Sequence, residues 1–380
     1  MRVVFMTHAS RLSGGEIGLM RFIATTRDEI EAIVIVAEDG PLVPALQDAG
    51  AVVEVLPMDE QVRGLRREEI ARPGLHQLRA AAGAGGYVAT LRKRLRQLRP
   101  DIVHAISLKS GPYGGAAARA AGVPMVWHLH DHLVPSYLAP HLIRAVQTAI
   151  ATLPSGLLVP SRSVLATTGR RRRGLITDVM PFPVPLPDRR APIRDEVGTV
   201  GMLGRITPWK GQDVFLRGFA QAFPDADVRA RIIGSAMFGE TDFEAHLHEL
   251  CAELGIAGRV DFRGFRENVY AELDELDVVV HASTSPDPLP GVVIEAMGAG
   301  LPVVAANAGG NPEHVTDHVT GFLHEPGDPA SLARALTEAA GDREHREQVG
   351  TAARESARRY APETINPRML AFYARVIAGR

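Results

Sequence analysis

The chain has 380 residues, of which 46% are hydrophobic and 23% are charged, and its net charge is -2. This length exceeds one ordinary compact core and fits two domains, and the composition is that of a folded protein rather than a disordered one. The single cysteine, Cys251, excludes an internal disulfide and favours a reducing compartment. No apolar run approaches the roughly 20 residues of a membrane-spanning helix, and the N-terminus reads as a strand rather than a signal peptide, so we expect a cytoplasmic protein.

Short apolar strands alternate with helical stretches in the first half of the chain. The predicted strands are, in chain order, Arg2–Thr7, Ala32–Ala37, Ala51–Leu56, Asp101–Ala105, Pro124–His128 and Gly156–Val159. A loop containing Gly14 and Gly15 follows the first strand and opens a helix from about Glu16 to Arg27. This alternation predicts parallel βαβ units with helices on both faces of a sheet.

A proline-rich segment separates the two halves. Residues 180–197 hold five prolines between positions 181 and 192 and cannot continue a helix or an interior strand, so we interpret them as a linker. The alternation then restarts, and the predicted strands are Gly198–Leu203, Val228–Ile233, Arg259–Phe262, Asp277–Val280, Pro302–Ala305 and Gly321–Leu323, followed by a mostly helical end. We therefore predict domains at 1–183 and 198–360, a linker at 184–197, and a last helix at 361–380.

Basic residues are concentrated in the first half of the chain. Residues 1–190 carry 24 Lys or Arg against 16 Asp or Glu, whereas the remainder carries 18 against 28. The helix Leu91–Arg99 and the run Arg170–Arg173 are strongly basic, which admits two interpretations: a solvated face, or peripheral contact with an anionic membrane or a lipid-linked acceptor. The second interpretation would place the protein at the inner face of the membrane. We expect no nucleic-acid partner.

The strongest local pattern is the segment Gly204-Arg205-Ile206-Thr207-Pro208-Trp209-Lys210-Gly211, which follows a predicted strand and precedes a helix. Ligands of open α/β sheets bind at the carboxyl ends of the strands, where loop amides and helix N-termini converge. Two cations at such a point suit a diphosphate, although a solvated loop is the alternative. Only three of the 42 basic residues are lysines, so a lysine beside glycine at 210 suggests a need for a compact ammonium.

A second pattern places two carboxylates eight positions apart after the strand Asp277–Val280. Asp287 lies in a loop, and Glu295 lies in the first turns of an apolar helix that begins near Gly291. A carboxylate inside an apolar helix is costly unless it faces a ligand or a partner, and carboxylates accept hydrogen bonds from sugar hydroxyls. An interaction with the helix dipole or a structural ion pair is the alternative for Glu295.

These elements together resemble the retaining family 4 glycosyltransferases of the GT-B fold. The resemblance rests on GRITPWKG, the acidic-x7-Glu element and GAGLPVVAANAGG in the second half, and on LSGGE, DIVHAIS, WHLHD and VPSRS in the first, in family order over about residues 1–325. It implies an α/β protein with two Rossmann-like domains that face each other across a cleft. The first domain is expected to bind the acceptor and the second the nucleotide-sugar.

The resemblance also implies roles for single residues. Glu295 matches the glutamate that binds the donor ribose, Asp287 matches the acidic residue near the donor sugar, and Arg205 with Lys210 matches the diphosphate clamp. Gly14 and Gly15 match the phosphate-facing loop of the first domain, and His130 matches the histidine at the reacting centre. Arg263 and Gly264 fall where the nucleobase usually meets backbone groups. The expected catalytic set is His130, Asp287, Arg205 and Lys210, and the donor-binding set adds Gly14, Gly15, Arg263, Gly264, Leu289, Gly291, Val292 and Glu295.

Three features depart from the family pattern. Asp287 replaces the usual Glu, and Pro288-Leu289-Pro290 replaces a glycine-containing turn, which removes two amide donors from the loop. The residues before the linker are Met180-Pro181-Phe182-Pro183 instead of Pro-Asn-Gly. These departures weaken an assignment of the sugar more than an assignment of the reaction class.

Two features raise the question of a metal. His128, His130 and His132 alternate along an extended segment and could share one face, so zinc is the rival to a sugar-contacting or structural role for His130. The Asp225-Ala226-Asp227 sequence precedes a strand, opposite the ligand end, and we interpret it as a solvated turn. Because Cys251 is remote in the sequence and no second ligand cluster is apparent, we expect neither a metal nor a cofactor.

The sequence predicts transfer of a sugar from a UDP- or GDP-linked donor to a hydroxyl of a small-molecule, saccharide or lipid-linked acceptor, whose contacts we expect around residues 57–87 and 107–115. A nucleotide-sugar epimerase of the same two-domain fold is the main alternative, and it would convert the donor without an acceptor. An NAD-dependent oxidoreductase is disfavoured because the loop after the first strand lacks G-x-G-x-x-G. A non-enzymatic nucleotide-sugar-binding scaffold would keep its biological function after Lys210→Ala.

Overall fold

The computed structural model describes residues 1–8, 10, 12–58, 75–224, 227–236 and 239–379, with side chains of the helix at 75–98 described from residue 83. The chain divides into two compact units: unit 1 is Met1–Pro183 with Pro362–Arg380, and unit 2 is Val184–Ala361. Most of the acceptor segment expected at 57–87, and the first two residues of the Asp225-Ala226-Asp227 turn, lie outside the described residues. No helix in the described part of the chain is long and apolar enough to cross a membrane.

Unit 1 contains a seven-stranded sheet in which every neighbouring pair is parallel. The strands are β1 (Arg2–Thr7), β2 (Glu31–Val36), β3 (Val52–Val55), β4 (Ile102–Ala105), β5 (Met125–His128), β6 (Gly156–Val159) and β7 (Ile176–Val179). Their order in the sheet is β3-β2-β1-β4-β5-β6-β7. The order reverses between β1 and β4, so the loops that follow these two strands flank the ligand-binding position of a doubly wound sheet.

Helices cover the sheet of unit 1. They are α1 (Gly14–Thr25), α2 (Leu42–Asp48), α3 (Leu75–Leu98), α4 (Ser110–Ala121), α5 (Pro140–Thr152), α6 (Arg162–Thr167) and α14 (Pro362–Ala378). Alternate residues of β1 enter two different clusters: Val3 and Phe5 pack with α1 and α14, whereas Val4 and Met6 pack on the side of α3 and α4. Burial on both faces explains why these strands read as continuous apolar runs.

The last helix completes one side of this core. Met369, Phe372 and Tyr373 of α14 are almost fully buried among residues of β1 and α1. The Tyr373 hydroxyl lies 2.5 Å from Nδ1 of the buried His104 on β4. The C-terminal helix α14 is therefore part of the core of unit 1, together with the N-terminal strand and helix.

Unit 2 repeats the same winding with six parallel strands. The strands are β8 (Thr199–Leu203), β9 (Arg229–Ile233), β10 (Val260–Gly264), β11 (Val278–His281), β12 (Val303–Ala306) and β13 (Phe322–His324), in the order β10-β9-β8-β11-β12-β13. The helices are α7 (Gln212–Ala222), α8 (Thr241–Glu253), α9 (Val269–Leu273), α10 (Gly291–Ala299), α11 (Asn311–His314), α12 (Pro329–Ala339) and α13 (Arg343–Ala357). Here the order reverses between β8 and β11.

Two strand predictions differ from the structure. β7 is not foreseen, because its sequence Ile-Thr-Asp-Val is only half-buried at the edge of the sheet and lacks an apolar run. β10 continues through Arg263 and Gly264, which were expected to follow the strand, because a register shift between Phe262 and Gly264 carries the pairing with β9 past the apolar residues. The proline-rich segment 184–197 contains neither a helix nor a strand, and it belongs to unit 2.

Candidate functional site

The reversal of strand order in unit 2 brings two predicted residues together. Lys210 follows β8 and Asp287 follows β11, and these strands are neighbours. The Lys210 Nζ lies 2.5 Å from Asp287 Oδ2, although 77 positions separate the two residues. This pair is the centre of the candidate site.

The loop that carries Lys210 is packed tightly against the loop after β11. Residues Pro208–Lys210 form one 3-10 turn, and Gly211 follows with a φ of 75°. A Cβ atom at Gly211 would lie 2.1 Å from the carbonyl oxygen of Ala282, so a glycine is required by both the backbone angle and the contact. The Thr284 amide donates to the Trp209 carbonyl at 2.9 Å, and Lys210 Nζ lies 4.3 Å from the centre of the Trp209 ring. The ammonium is thus held between a carboxylate and an aromatic face.

The charge of Asp287 is stabilised by this environment. Burial alone would raise the pKa of its carboxyl, but the Lys210 ammonium and a hydrogen bond from His281 outweigh burial and hold the pKa well below its usual range. Burial lowers the pKa of His281, and its hydrogen bond to Asp287 only partly offsets that effect. The site therefore combines a carboxylate, an ammonium and a neutral imidazole.

Three residues that sequence reasoning missed support Asp287. His281 ends β11, with Nε2 3.3 Å from Asp287 Oδ2 and 3.0 Å from Ser283 Oγ. Asn311 Nδ2 lies 3.0 Å from His281 Nδ1. His281, Ser283 and Asn311 are at most 2% exposed. For Ser283 the available signal was the polar run 283–285 after β11, whereas His281, the last residue of β11, and Asn311, which follows β12, gave none.

Arg205 lies on the same loop as Lys210 and is half-buried. Its backbone is fixed by the fully buried Gln212, the first residue of α7, whose Nε2 donates to the Arg205 carbonyl at 2.8 Å. The side-chain oxygen Oε1 of Gln212 also accepts from the Thr207 amide at 3.5 Å. The glutamine therefore shapes the turn that presents both cations.

Glu295 is the fifth residue of α10 and is only 6% exposed, and its neighbours Val293, Ile294 and Ala296 are fully buried. Leu289, Gly291 and Val292 of the predicted donor set are half-buried around the start of this helix. Pro288 and Pro290 supply no amide hydrogen to the loop. The helix thus places one carboxylate within an apolar segment that begins four residues after Asp287.

Arg263 and Gly264, which were predicted to meet the nucleobase, make contacts with other residues of unit 2. The Arg263 guanidinium lies 3.4 Å from Glu272 and 3.6 Å from Asp261, and the hydrogen bond with Glu272 followed by its charge raises the arginine pKa. The Gly264 carbonyl accepts from the amide of Gly234, at the end of the neighbouring β9, at 2.9 Å. Glu272 was not foreseen, because its partners are set by the position of α9.

In unit 1 the predicted glycines open α1. Gly14 is its first residue and Ser13 is the N-terminal capping position. Glu16, two residues into the helix, is buried and accepts hydrogen bonds from Thr7 Oγ1 at 2.9 Å and from Ser13 Oγ. This carboxylate ties the loop to the end of β1, and it belongs to the LSGGE motif without having been given a role.

His130 lies beside this loop. Its ring is 3.8 Å from the position that a Cβ of Gly15 would occupy, and it stacks on Phe182 with ring centres 5.5 Å apart. The His130 ring also contacts that of His128, and the two ring centres are 4.1 Å apart. Burial lowers the pKa of His130 to about 4, and its Nε2 has no hydrogen-bond partner in the described part of the chain. His130 is a neutral imidazole at neutral pH.

The three alternating histidines do not form one cluster. His128 and His130 are in contact, but His132 Nε2 lies 3.1 Å from Ser163 Oγ. The other ring near His128 is that of His104 on β4, 5.4 Å away. Within the ranges that the structure describes, no group of three or more His, Cys, Asp or Glu side chains is arranged to hold a metal ion.

Family models match both units. The family described as "Glycosyl transferase 4-like domain" matches residues 14–182, and that described as "Glycosyl transferases group 1" matches residues 188–356. Together these segments contain every predicted site residue of the two units.

Several known proteins are similar to this chain. The D-inositol 3-phosphate glycosyltransferase of Corynebacterium diphtheriae is 37% identical over 163 residues, which are 42% of this chain and 38% of that protein. A sulfoquinovosyl transferase of Arabidopsis thaliana is 29% identical over 290 residues, which are 70% of this chain and 55% of that protein. The matched regions thus span less than two thirds of both relatives.

A solved structure matches nearly the whole chain. The structure of Anabaena Alr3699/HepE in complex with UDP and glucose superposes with a TM-score of 0.83 at 27% identity, covering 98% of this chain and 99% of that one. The two parallel doubly wound sheets, the two family matches and this likeness agree with one another. The chain belongs to the family 4, group 1 glycosyltransferases of the GT-B fold.

Proposed function

We propose that this chain transfers a glycosyl group from a UDP- or GDP-linked sugar to a hydroxyl of an acceptor, with retention of anomeric configuration. The observation that carries the proposal is the Lys210–Asp287 pair, held at the point where the strand order of unit 2 reverses. The likeness to an Anabaena protein solved with UDP and glucose supports a nucleotide-sugar donor. Retention is implied by the family resemblance.

Departure of the nucleotide diphosphate needs stabilisation of the negative charge that develops on it. Lys210 and Arg205 are cations on one loop at the carboxyl end of β8, and oriented cations lower such a barrier most where water is excluded. We assign Asp287 to a hydroxyl of the donor sugar and Glu295 to the ribose hydroxyls, since carboxylates accept such hydrogen bonds. Leu289, Gly291 and Val292 would line the same donor, and Gly264 would meet its base.

Two groups of unit 1 complete the proposal. His130 is neutral at neutral pH because burial lowers its pKa to about 4. It can therefore form a hydrogen bond with the donor sugar without adding a charge. We assign the amides of Gly14 and Gly15, at the start of α1, to the phosphate. These assignments rest on the resemblance and on the position of Gly15, where a Cβ would lie 3.8 Å from the His130 ring.

The charge stabilisation assigned to Lys210 and Arg205 requires no metal. We therefore propose that turnover is unchanged by EDTA. A loss of activity in EDTA that Mg²⁺ or Mn²⁺ restores would assign the neutralisation of the diphosphate to a metal.

We propose a small-molecule, saccharide or lipid-linked acceptor. For the lipid-linked case, the exposed residues Arg92, Lys93 and Arg96 of α3 are a basic surface that could contact anionic lipid. Sedimentation with phosphatidylglycerol vesicles at low salt tests this contact, with neutral vesicles as the control. Equal sedimentation with both would exclude an electrostatic contact.

The central experiment separates transfer from isomerisation. The protein is screened by thermal shift against UDP, GDP and their sugars, and the best donor is then incubated with and without hydroxyl acceptors. We expect a glycosylated acceptor and release of the nucleoside diphosphate. Conversion of the donor sugar without an acceptor would identify an epimerase, and no stabilisation by any nucleotide would refute the proposed donor class.

A further inference from the structure

We propose that Asn311 and His281 form a positioning pair for Asp287, in which the Asn311 amide fixes His281 as the neutral tautomer with its proton on Nε2, so that it donates to the Asp287 carboxylate. That Asp287 serves donor binding rests on the proposed function; the arrangement of the three side chains does not. All three belong to unit 2 and are at most 7% exposed.

The carbonyl of Ala306 determines the orientation of the Asn311 amide. Asn311 Nδ2 lies 2.8 Å from Ala306 O, and because a carbonyl oxygen only accepts, the atom facing it must be the amide nitrogen. The second hydrogen of the same nitrogen is directed to His281 Nδ1 at 3.0 Å. His281 Nδ1 is therefore an acceptor and carries no proton.

The proton of neutral His281 consequently lies on Nε2. That atom is 3.3 Å from Asp287 Oδ2 and 3.0 Å from Ser283 Oγ, and the ionised carboxylate can only accept. A second proton on Nδ1 would face the Asn311 amide hydrogens at short range. Asn311 thus opposes the imidazolium form through hydrogen-bond geometry, in addition to the burial that lowers the His281 pKa.

The asparagine reaches this position because two loops are packed backbone to backbone. Gly309 has a φ of 63°, and a Cβ there would lie 2.1 Å from the Asp287 carbonyl oxygen. The Gly310 amide donates to that same carbonyl at 2.8 Å. The glycines therefore join the loop after β12 to the Asp287 loop, and Asn311 follows them directly.

The charge balance explains why a neutral partner is useful. Asp287 already pairs with the Lys210 ammonium, and an imidazolium at 281 would add a second cation at the same oxygen. A neutral N–H donor holds the carboxylate in place without competing for its charge. Lys210 can then move from Asp287 to a donor phosphate while Asp287 keeps its orientation.

The tautomer is tested directly by NMR of protein labelled with ¹⁵N-histidine, using two-bond ¹H–¹⁵N correlations. The charged groups that act on His281 are Asp287 and Lys210, with His324 Nε2 3.3 Å from its carbonyl. The His281 signal is assigned by its absence in His281→Gln. At pH 6.5 we expect it to show a proton on Nε2 and none on Nδ1. Protonation at Nδ1, or an imidazolium at that pH, would overturn the pair.

Substitutions at 311 test the cause. Asn311→Asp provides an acceptor for Nδ1–H and should convert His281 to imidazolium at pH 6.5, whereas Asn311→Leu removes the amide but leaves Asp287 to accept from Nε2–H, so that His281 stays neutral. Asn366→Asp is the matched control, since Asn366 is also buried and bonded but lies in unit 1. A His281 that stays neutral in folded Asn311→Asp would refute the role of Asn311.

Kinetics test the consequence for Asp287. In His281→Gln the glutamine side-chain amide can still donate to Asp287, whereas the leucine of His281→Leu has no donor. We therefore expect kcat/KM for the donor to be at least tenfold higher in the glutamine variant. Equal values in two folded variants would refute positioning through this hydrogen bond. The proposed function and the positioning pair can be refuted separately. A wild-type protein that shows the expected tautomer but binds no nucleotide refutes only the proposed function. A wild-type protein that binds nucleotide but shows another tautomer refutes only the pair.

Discussion

Replacing Lys210 with methionine removes an ammonium group but keeps a flexible side chain of similar length. The Lys210 side chain is 17% exposed and that of Asp287 is 9% exposed, so the substitution leaves a carboxylate out of water without its cation. Breaking a fully buried ion pair costs roughly 3–5 kcal/mol, and the partial exposure of Lys210 reduces this to about 1–3 kcal/mol. We expect a loss of folding stability of that size at pH 7.

The same substitution should weaken nucleotide binding. A charge-assisted hydrogen bond contributes about 1.5–3 kcal/mol, which corresponds to a roughly 10- to 150-fold higher Kd for UDP. The donor kcat/KM should fall at least tenfold, about 1.4 kcal/mol. Calorimetric titration with UDP measures the first quantity. Lys93→Met, on the exposed face of α3, is the control for a lysine outside the site.

The stability loss should depend on pH in a defined direction. The pKa of Asp287 is depressed in the folded protein, so its contribution is complete above its unfolded pKa, about 3.9, and is lost as the pH falls through the lower folded pKa. Without Lys210, burial raises the folded pKa of Asp287, so ionisation of this carboxyl stabilises the variant less than the wild type; the stability lost to the substitution is therefore largest at pH 7 and shrinks as the pH falls towards 3. Urea unfolding from pH 7 to pH 3 measures this. A UDP affinity equal to wild type in the folded variant would refute the role of Lys210.

Three further results are expected. Glu295→Gln should raise the Kd for UDP about tenfold by calorimetry, whereas Glu338→Gln, on an exposed face of α12, should leave it unchanged; equal affinities would refute the ribose assignment. His130 has a folded pKa of about 4 against roughly 6.5 unfolded, so stability is lost as the pH falls from 6.5 to 4, and His130→Gln should flatten the urea-derived slope by up to about 1.4 kcal/mol per pH unit; an unchanged slope would contradict its burial. Gly211→Ala should cost more than about 1 kcal/mol, because its φ and a backbone contact both exclude a Cβ, whereas Gly258→Ala, with open space, should stay within about 0.5 kcal/mol; equal costs would contradict the packing of the Lys210 loop.

Much of the fold follows from local patterns. Apolar runs such as Val278–Val280 are buried on both faces of a parallel sheet, so continuous hydrophobicity bounded by loops was sufficient to predict them. β7 was missed because an edge strand needs burial on fewer positions, and Thr177 and Asp178 mask the pattern. Strand order was not predictable from pattern alone, and the family resemblance supplied the architecture.

The candidate site divides in the same way. Lys210 and Asp287 could be named from residue types after strands, because the carboxyl ends of parallel strands collect ligand-binding groups. His281 and Asn311 could not, since a lone histidine at a strand end gives no indication of its partner thirty positions later. Arg263 shows that a residue predicted for the site can instead have a partner within the fold. It forms an ion pair with Glu272, which could not be predicted because it depends on α9 lying beside β10.

The return of α14 to unit 1 bears on the order in which the protein can fold. During synthesis, Phe372 and Tyr373 leave the ribosome only after all of unit 2, yet both side chains fill the interior begun by β1. Until then His104 lacks the Tyr373 hydroxyl, and an apolar surface above β1 and α1 stays exposed to water. A fragment that stops at Pro183 should therefore be prone to aggregate, and adding residues 362–379 as a separate peptide should restore its solubility.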